Sequence, residues 1–320
     1  MPHPSTESTL RASVCIPTRN RRDLLLRTLE TLDRQTLPAA RFDVVVADDG
    51  STDGTREALG VLKPGYRISH VESSGRGSGA ARNAAARMAV GEVLVFLDDD
   101  QLASEELLEA HIDAQGANGV VLVQGFSPMV EQRSRRGTSM IYEQTLRRTI
   151  GAETAALGKG GGIWGLNISV RKQTWADTGG YDESLRRSQD LDFGLMVAAL
   201  GVPVVFEPRA LSHHVHAATI KQFRRQHFEE GWALAKIASK HGRTVESLLG
   251  SRIDRPFDRV VRLLWRRNVR LAEAFGLLVS AGLEGADRIG FAPAQIALAR
   301  VLRRCYEIGG VDAGESHRLS

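Results

Sequence analysis

With 320 residues, 42% hydrophobic and 25% charged, the chain is long enough to bury a large core and has no collagenous, disordered or disulfide-rich signature. The formal net charge of +4 hides a local basic excess, Arg252, Arg255, Arg259, Arg262, Arg266, Arg267 and Arg270, which lacks the interleaved aromatics of a base-stacking surface and so argues against nucleic acid. Cys15 and Cys305 give neither a paired framework nor metal-ligand spacing, and the first residues hold no apolar run of signal-peptide length, so a cytoplasmic protein with buried thiols is expected.

From Ala12 to Phe126, apolar β-rich runs alternate with helical patterns. Ser13 to Ile16, Asp43 to Ala47, Ile68 to Val71, Val93 to Leu97 and Val120 to Gln124 read as strands. Leu25, Leu29 and Leu32 mark a helix that Pro38 stops, and Ala80 to Ala89 an alanine-rich one. Such alternation implies a mostly parallel sheet covered by helices on both faces, with ligands beyond the carboxyl ends of the strands. The pattern from Glu131 to Lys159 is irregular. The run Gly160 to Gly162 then leads through Trp164 and Asn167 to a strand ending near Val170, and Gly179-Gly180-Tyr181-Asp182 reads as a turn. A helix opens around Asp190 and Asp192, Val202 to Phe206 is a further strand, and after His216 the chain is helical, with Ile220 to Lys240 and Arg259 to Leu283 the longest helices.

The residues that follow the strands are polar. Asp98, Asp99 and Asp100 close the fourth run, where their mutual repulsion is relieved by a hard divalent cation, Mg²⁺ or Mn²⁺, that also bridges to substrate phosphates. On an extended backbone Asp98 and Asp100 would face one way and Asp99 the other. Asp100 is the preferred direct ligand, with Asp98 turned toward a ribose or the metal's water shell. After the second run, Asp49 is placed to accept a hydrogen bond from a nucleobase edge, and Asp53 or Ser51 to cap the next helix. The glycine-rich turn Gly75 to Gly79 enters a helix whose first amides favour an anion, with Arg82 available to phosphate.

Taken in order, Ile16-Pro17-Thr18-Arg19-Asn20, Ala47-Asp48-Asp49-Gly50-Ser51-Thr52-Asp53, Ala81-Arg82-Asn83 and Phe96-Leu97-Asp98-Asp99-Asp100 resemble the motif series of the family 2 glycosyltransferases with the GT-A fold. The resemblance continues through Gly162 to Arg171 and Gly179 to Glu183, about two thirds of the chain. It implies an inverting transfer of a sugar from a nucleoside-diphosphate-sugar to an acceptor hydroxyl. In that reading Pro17, Thr18, Arg19, Asn20, Asp49, Arg82, Asp98, Asp99 and Trp164 hold the donor, Trp164 as a platform for the sugar ring. The family's catalytic base aligns with Asp190, while Gln189 replaces the glutamate usual before it. The chemistry agrees: displacement at the anomeric carbon needs a carboxylate to take the acceptor proton and a cation to neutralise the departing diphosphate. The fold often adds a histidine ligand near the run His213, His214, His216, and the spacing favours His214, with His216 second.

The expected organisation is a tail over 1–11, a GT-A-like catalytic domain over 12–216 and a helical region over 217–320. The family's processive members carry a Gln-x-x-Arg-Trp motif and membrane spans, and neither is present, so non-processive transfer is expected. The basic helices suit peripheral contact with a membrane surface or a homodimer contact. A sugar-phosphate nucleotidyltransferase is the enzymatic rival, though its phosphate-cradling glycine loop should follow the first strand, where this chain has Pro17-Thr18-Arg19-Asn20. A non-catalytic nucleotide-sugar-binding protein is the other alternative.

Overall fold

The computed structural model describes residues 11–130, 136–151, 163–215, 218–249 and 253–316. Gly160 to Gly162, Arg133, Arg135, His216 and Arg252 lie outside the described residues. The chain divides into two compact units: a sheet unit, residues 1–130 and 153–215, and a helical unit, residues 131–152 and 216–320. The helix Gly137–Gly151, which falls inside the 12–216 region of the sequence reading, groups with the helical unit.

Among the described residues the strands β1 (Ala12–Thr18), β2 (Phe42–Asp48), β3 (Arg67–Glu72), β4 (Val93–Leu97), β5 (Gln101–Ala103), β6 (Leu122–Phe126), β7 (Asn167–Arg171) and β8 (Val204–His214) form one sheet in the order β3-β2-β1-β4-β7-β6-β8-β5. β1 pairs parallel with β2 and β4, and β2 with β3. β7 then runs antiparallel between β4 and β6, so the sheet is mixed beyond its first four strands. Every residue of β1, β2 and β4 is buried, as expected of central strands covered on both faces. Alternate side chains serve opposite cores. Val14, Ile16, Val44 and Val95 pack with Leu25 and Leu29 of the helix Arg22–Leu32, while Cys15, Val45, Leu94 and Phe96 pack against Ala81 and Ala85 of the helix Ser78–Met88. Alanines let that second helix approach the sheet closely.

Two elements position the site and lack a strong sequence signal. β5, three residues long, pairs antiparallel with the end of β8 so that Gln101 lies opposite His214. β8 itself runs on past Phe206 into the histidine run, and a register shift between Gly125↔Glu207 and Phe126↔Leu211 bends it toward β5.

In the helical unit, Ile220–Lys240 is one helix, opened by a capping box between Thr219 and Gln222. It packs on Ala292–Ser316 at glycines: a Cβ on Gly310 would lie 2.0 Å from the carbonyl oxygen of Phe228, so only glycine allows this approach. The helix expected over Arg259 to Leu283 is instead two, Pro256–Arg267 and Val269–Ile289. Asn268 breaks it with an extended backbone (φ −155°, ψ 90°), and its side chain accepts from the Leu271 N–H, capping the second helix. The apolar period continues across the break, which is why the sequence pattern does not show it.

Candidate functional site

The carboxyl ends of β1, β2 and β4 lie side by side. Pairing of Cys15 with Phe96 and of Thr18 with Asp48 brings residues 98–100 and the turn after Asp48 alongside Thr18. The Thr18 hydroxyl donates to Asp99 at 2.8 Å, and the Asp49 amide donates to the Thr18 carbonyl at 2.9 Å.

The strand ends at Leu97, and Asp99 and Asp100 lie in a turn, so the alternation expected of an extended chain does not hold. Asp99 and Asp100 instead share one cation: the Arg21 guanidinium lies 3.0 Å from an Asp99 oxygen and 2.8 Å from an Asp100 oxygen. Asp98 goes the other way, to Arg82 at 2.5 Å. Asp99 and Asp100 are 4% exposed and Arg82 is 6% exposed, while the side chains of their partners Arg21 and Asp98 are partly open to water. Burial raises the Asp99 carboxyl to about 7, held down in part by Arg21 and pushed up by Asp100. For Arg21, burial acts to lower the pKa, but Asp99 and Asp100 outweigh it and keep the guanidinium charged. Three acidic side chains thus face two arginines, and the turn carries excess negative charge once Asp99 loses its proton, above about pH 7. Arg21 carries no sequence signal, because Arg19, Arg21 and Arg22 lie within four residues and nothing in the pattern says which turns inward.

His214 meets this turn from β8. It is 5% exposed while its neighbour His213 is exposed, as alternation along a strand requires. Its Nε2 lies 3.3 Å from the same Asp100 oxygen that Arg21 contacts. Among the described residues no three His, Cys, Asp or Glu side chains converge as a cation cage. The Asp100 and His214 atoms are nevertheless close to the separation of about 3 Å between neighbouring ligands of one octahedral ion, and Mg²⁺-type ions are commonly held by one or two side chains, with phosphates and waters completing the shell. The residues therefore fit a cation bound together with a diphosphate. Asp98, expected as a further ligand, is committed to Arg82.

Asp49 is nearly buried. One of its carboxylate oxygens accepts from the Gly77 amide at 2.9 Å and lies 3.5 Å from Arg19, while the other has no hydrogen-bond partner among the described residues. A buried carboxylate oxygen left without a donor is costly unless a ligand supplies one. Beside it, a cleft of 390 Å³ is lined by Asp48, Gly50, Ser51, Thr52, Glu72 and Ser73. Arg19 is more than half exposed, whereas Pro17 is buried in β1. Asn20 sits at φ +52°, and its side chain accepts from the Thr52 amide at 2.7 Å, tying the two loops together. Asp53 caps the next helix, accepting from the Thr55 amide at 3.2 Å.

Asp190 stands in the first turn of the helix Gln189–Ala199, after Ser188 in a left-handed conformation (φ +56°). Its two carboxylate oxygens accept from the amides of Gly165 and Leu191, both at 3.0 Å. Gly165 is required there, since a Cβ would lie 2.8 Å from the Asp190 Cβ. The next residue, Leu166, accepts from the Asp98 amide at 3.1 Å, so the segment 164–166 links Asp190 to the acidic turn. Half-buried Trp164 begins that segment, fixed by buried Gln124, whose Oε1 takes the Trp164 amide at 2.7 Å. Asp98 and Asp190 both act on Arg82. Gln189 turns inward, 5% exposed, and donates to the Leu185 carbonyl at 2.8 Å. Asn83 holds the turn at Gly179-Gly180-Tyr181 by taking the Tyr181 amide and donating to its carbonyl, both at 2.8 Å.

Beneath the turn, a buried polar network runs from His111 through Asn167 (2.8 Å) and Ser212 (3.3 Å) to Gln101 (2.7 Å), tying β5, β7 and β8 to the helix Leu107–Ala117. Among the described residues both cysteines are free and buried, and burial raises the Cys305 thiol to about 11. Among the described residues no helix is long and apolar enough to cross a membrane.

The chain matches Glycosyl transferase family 2 over residues 13–171 and Glycosyl transferase family group 2 over residues 93–267. It is 33% identical over 222 residues to a validoxylamine A glucosyltransferase of Streptomyces hygroscopicus subsp. jinggangensis, a match covering 60% of this chain and 52% of that protein. It is 25% identical over 241 residues to glycosyltransferase AglE of Haloferax volcanii, covering 71% of this chain and 75% of that protein. The chain spans about half the length of the first of these relatives. Among solved structures, mannosyltransferase PcManGT of Pyrobaculum calidifontis, in complex with GDP-Man and Mn²⁺, aligns with a TM-score of 0.62 at 19% identity, over 94% of this chain and 89% of that one. Residues 1–349 of TarS from S. aureus, in complex with UDP-GlcNAc, align with a TM-score of 0.57 at 17% identity, over 97% and 92%. At such identities these two structures carry the fold alone, which is the GT-A fold with a C-terminal helical region. The second family match covers more than half of the 320 residues and contains the acidic turn, His214 and Asp190, so the chain belongs to the family 2 glycosyltransferases.

Proposed function

We propose that this protein is an inverting, metal-dependent, non-processive glycosyltransferase that moves a sugar from a nucleoside-diphosphate-sugar to an acceptor hydroxyl. The observation that carries the reading is the pairing of two carboxylate environments: Asp190, held by two amides, and an acidic turn with more carboxylates than arginines, joined through residues 164–166. A single acidic cluster would support binding alone. A carboxylate beside it, outside the ion-pair network, supports proton transfer as well.

In this reading the buried, unpartnered oxygen of Asp49 accepts an N–H from a nucleobase at the edge of the cleft lined by its neighbours Asp48 and Gly50. Exposed Arg19 and the amides opening the helix Ser78–Met88 face the diphosphate. Asp100 and His214 hold the divalent cation, which when bound neutralises charge on the leaving diphosphate. Arg82 holds Asp98 in place, and Trp164 offers a face to the sugar. Asp190 takes the acceptor's hydroxyl proton as that oxygen attacks the anomeric carbon and the bond to the diphosphate breaks, with inversion there. The two amides on Asp190 fix the carboxylate's direction before the acceptor arrives.

The test is a calorimetric panel of UDP-, GDP- and dTDP-sugars with Mn²⁺ or Mg²⁺, repeated with a chelator and with Asp100→Asn. At least one donor is expected to bind with metal, and to weaken about a hundredfold with chelator or in the variant. Donor binding indifferent to both would contradict the metal assignment, and no binding in the whole panel would contradict the reading.

A further inference from the structure

The two helices around Asn268 show an outer surface that the glycosyl-transfer reading leaves unused. Their inner faces are ordinary: Val261, Trp265, Ala272 and Val279 pack into the helical core. Their outer faces are not. Leu263 is 52% exposed, Val269 55%, Leu271 56% and Leu278 72%, and every residue from Arg266 to Leu271 is exposed. An outward stripe of Leu271, Ala274, Leu278 and Ala281 follows helical spacing along Val269–Ile289, so apolar side chains recur where water-facing polar ones are usual. Its charges lie toward the ends, with Arg270 at the first turn and Glu284 and Arg288 toward the last.

Around Asn268 the exposed charge has one sign, whereas exposed Glu284 and Arg288 lie toward the far end of the second helix. Arg259, Arg267 and Arg270 are exposed, and none has a carboxylate partner among the described residues; Arg266 is paired with Asp312. Exposed leucines next to unpaired arginines suit the boundary of a bilayer with anionic headgroups. The apolar side chains enter the acyl edge while the guanidinium groups remain among the phosphates. A second copy of the chain fits less well, because a two-fold contact through this patch brings like-charged arginine clusters together.

We propose that the outer face of residues 259–289 docks this protein on an anionic lipid bilayer, with Leu271 and Leu278 entering the membrane and Arg259, Arg267 and Arg270 contacting its headgroups. The surface lies wholly in the helical unit and does not depend on the donor or on Asp190.

The experiment is co-sedimentation of the full chain with vesicles of phosphatidylcholine alone or with about 30% phosphatidylglycerol. Binding to the anionic vesicles only is expected, with most of it lost at about 0.5 M salt. Leu278→Glu is expected to weaken partitioning by about tenfold and Arg267→Gln by roughly fivefold. Because both positions are exposed, both variants should melt as the wild type does. Absence of vesicle binding, equal binding to neutral and anionic vesicles, or a Leu278-dependent dimer by sedimentation equilibrium without vesicle binding would each overturn the proposal.

Discussion

In the helical unit, Arg304 lies 2.9 Å from Asp258 and 3.1 Å from Glu307, and Arg303 reaches Glu307 at 3.7 Å, so two arginines meet two buried carboxylates. At the carboxyl ends of the strands, Arg21 and Arg82 meet three, Asp98, Asp99 and Asp100, and Asp99 holds its proton up to about 7. The first arrangement is balanced in charge, although one buried Glu307 oxygen has no hydrogen bond among the described residues; the second carries excess negative charge once Asp99 ionises, which in the proposed reading a cation would offset. Buried ion pairs alone therefore say little about function, and the informative quantity is the imbalance of charge.

The comparison breaks most visibly on the balanced side. Arg304→Met leaves Asp258 and Glu307, 2% and 3% exposed, without their nearest cation and should cost about 3–5 kcal/mol in urea unfolding, with donor affinity of the folded protein unchanged. A loss under about 1 kcal/mol would mean that these pairs are solvated rather than structural.

The sheet unit also buries a group kept neutral. Burial lowers His111 to about 4, while the unfolded chain titrates near 6.5. The unfolded state then binds more protons between those values, so this contribution to stability is complete above pH 6.5 and is lost as pH falls toward 4, by about 3 kcal/mol. Unfolding free energies across that range should lose this slope in His111→Gln; an unchanged slope would place the titration elsewhere.

The smallest effect sharpens the imbalance itself. In the proposed reading Arg21 would compete with a cation for one Asp100 oxygen, so Arg21→Met should tighten Mn²⁺ binding without nucleotide by about tenfold, read by titration calorimetry. Equal or weaker affinity would show that Arg21 helps the metal site rather than opposing it.

The candidate residues stood out in the sequence where carboxylates end apolar strands abruptly, Asp49 after β2 and Asp98 to Asp100 after β4, whereas Asp190 lies in a polar stretch and was marked only by the resemblance. His214 was legible by its resemblance, and alternation along β8 explains why it is buried while His213 is not. What the sequence hid depends on geometry between distant segments. Arg21 is one of three nearby arginines, the turn at 98–100 reverses the expected directions of Asp98 and Asp99, and β5 is too short to have a period. Asn268 interrupts a helix without interrupting its apolar spacing. The grouping of Gly137–Gly151 with the helical unit leaves no local mark because it is set by packing.

In the proposed reaction Asp190 supplies the base while the acidic turn supplies binding. The direct measurement is turnover and donor affinity in Asp190→Asn, assayed with whichever donor binds in the metal-dependent panel. A loss in kcat of about a thousandfold is expected, with donor affinity within about twofold of wild type. Unchanged turnover, or a loss of donor binding equal to the loss of turnover, would contradict it.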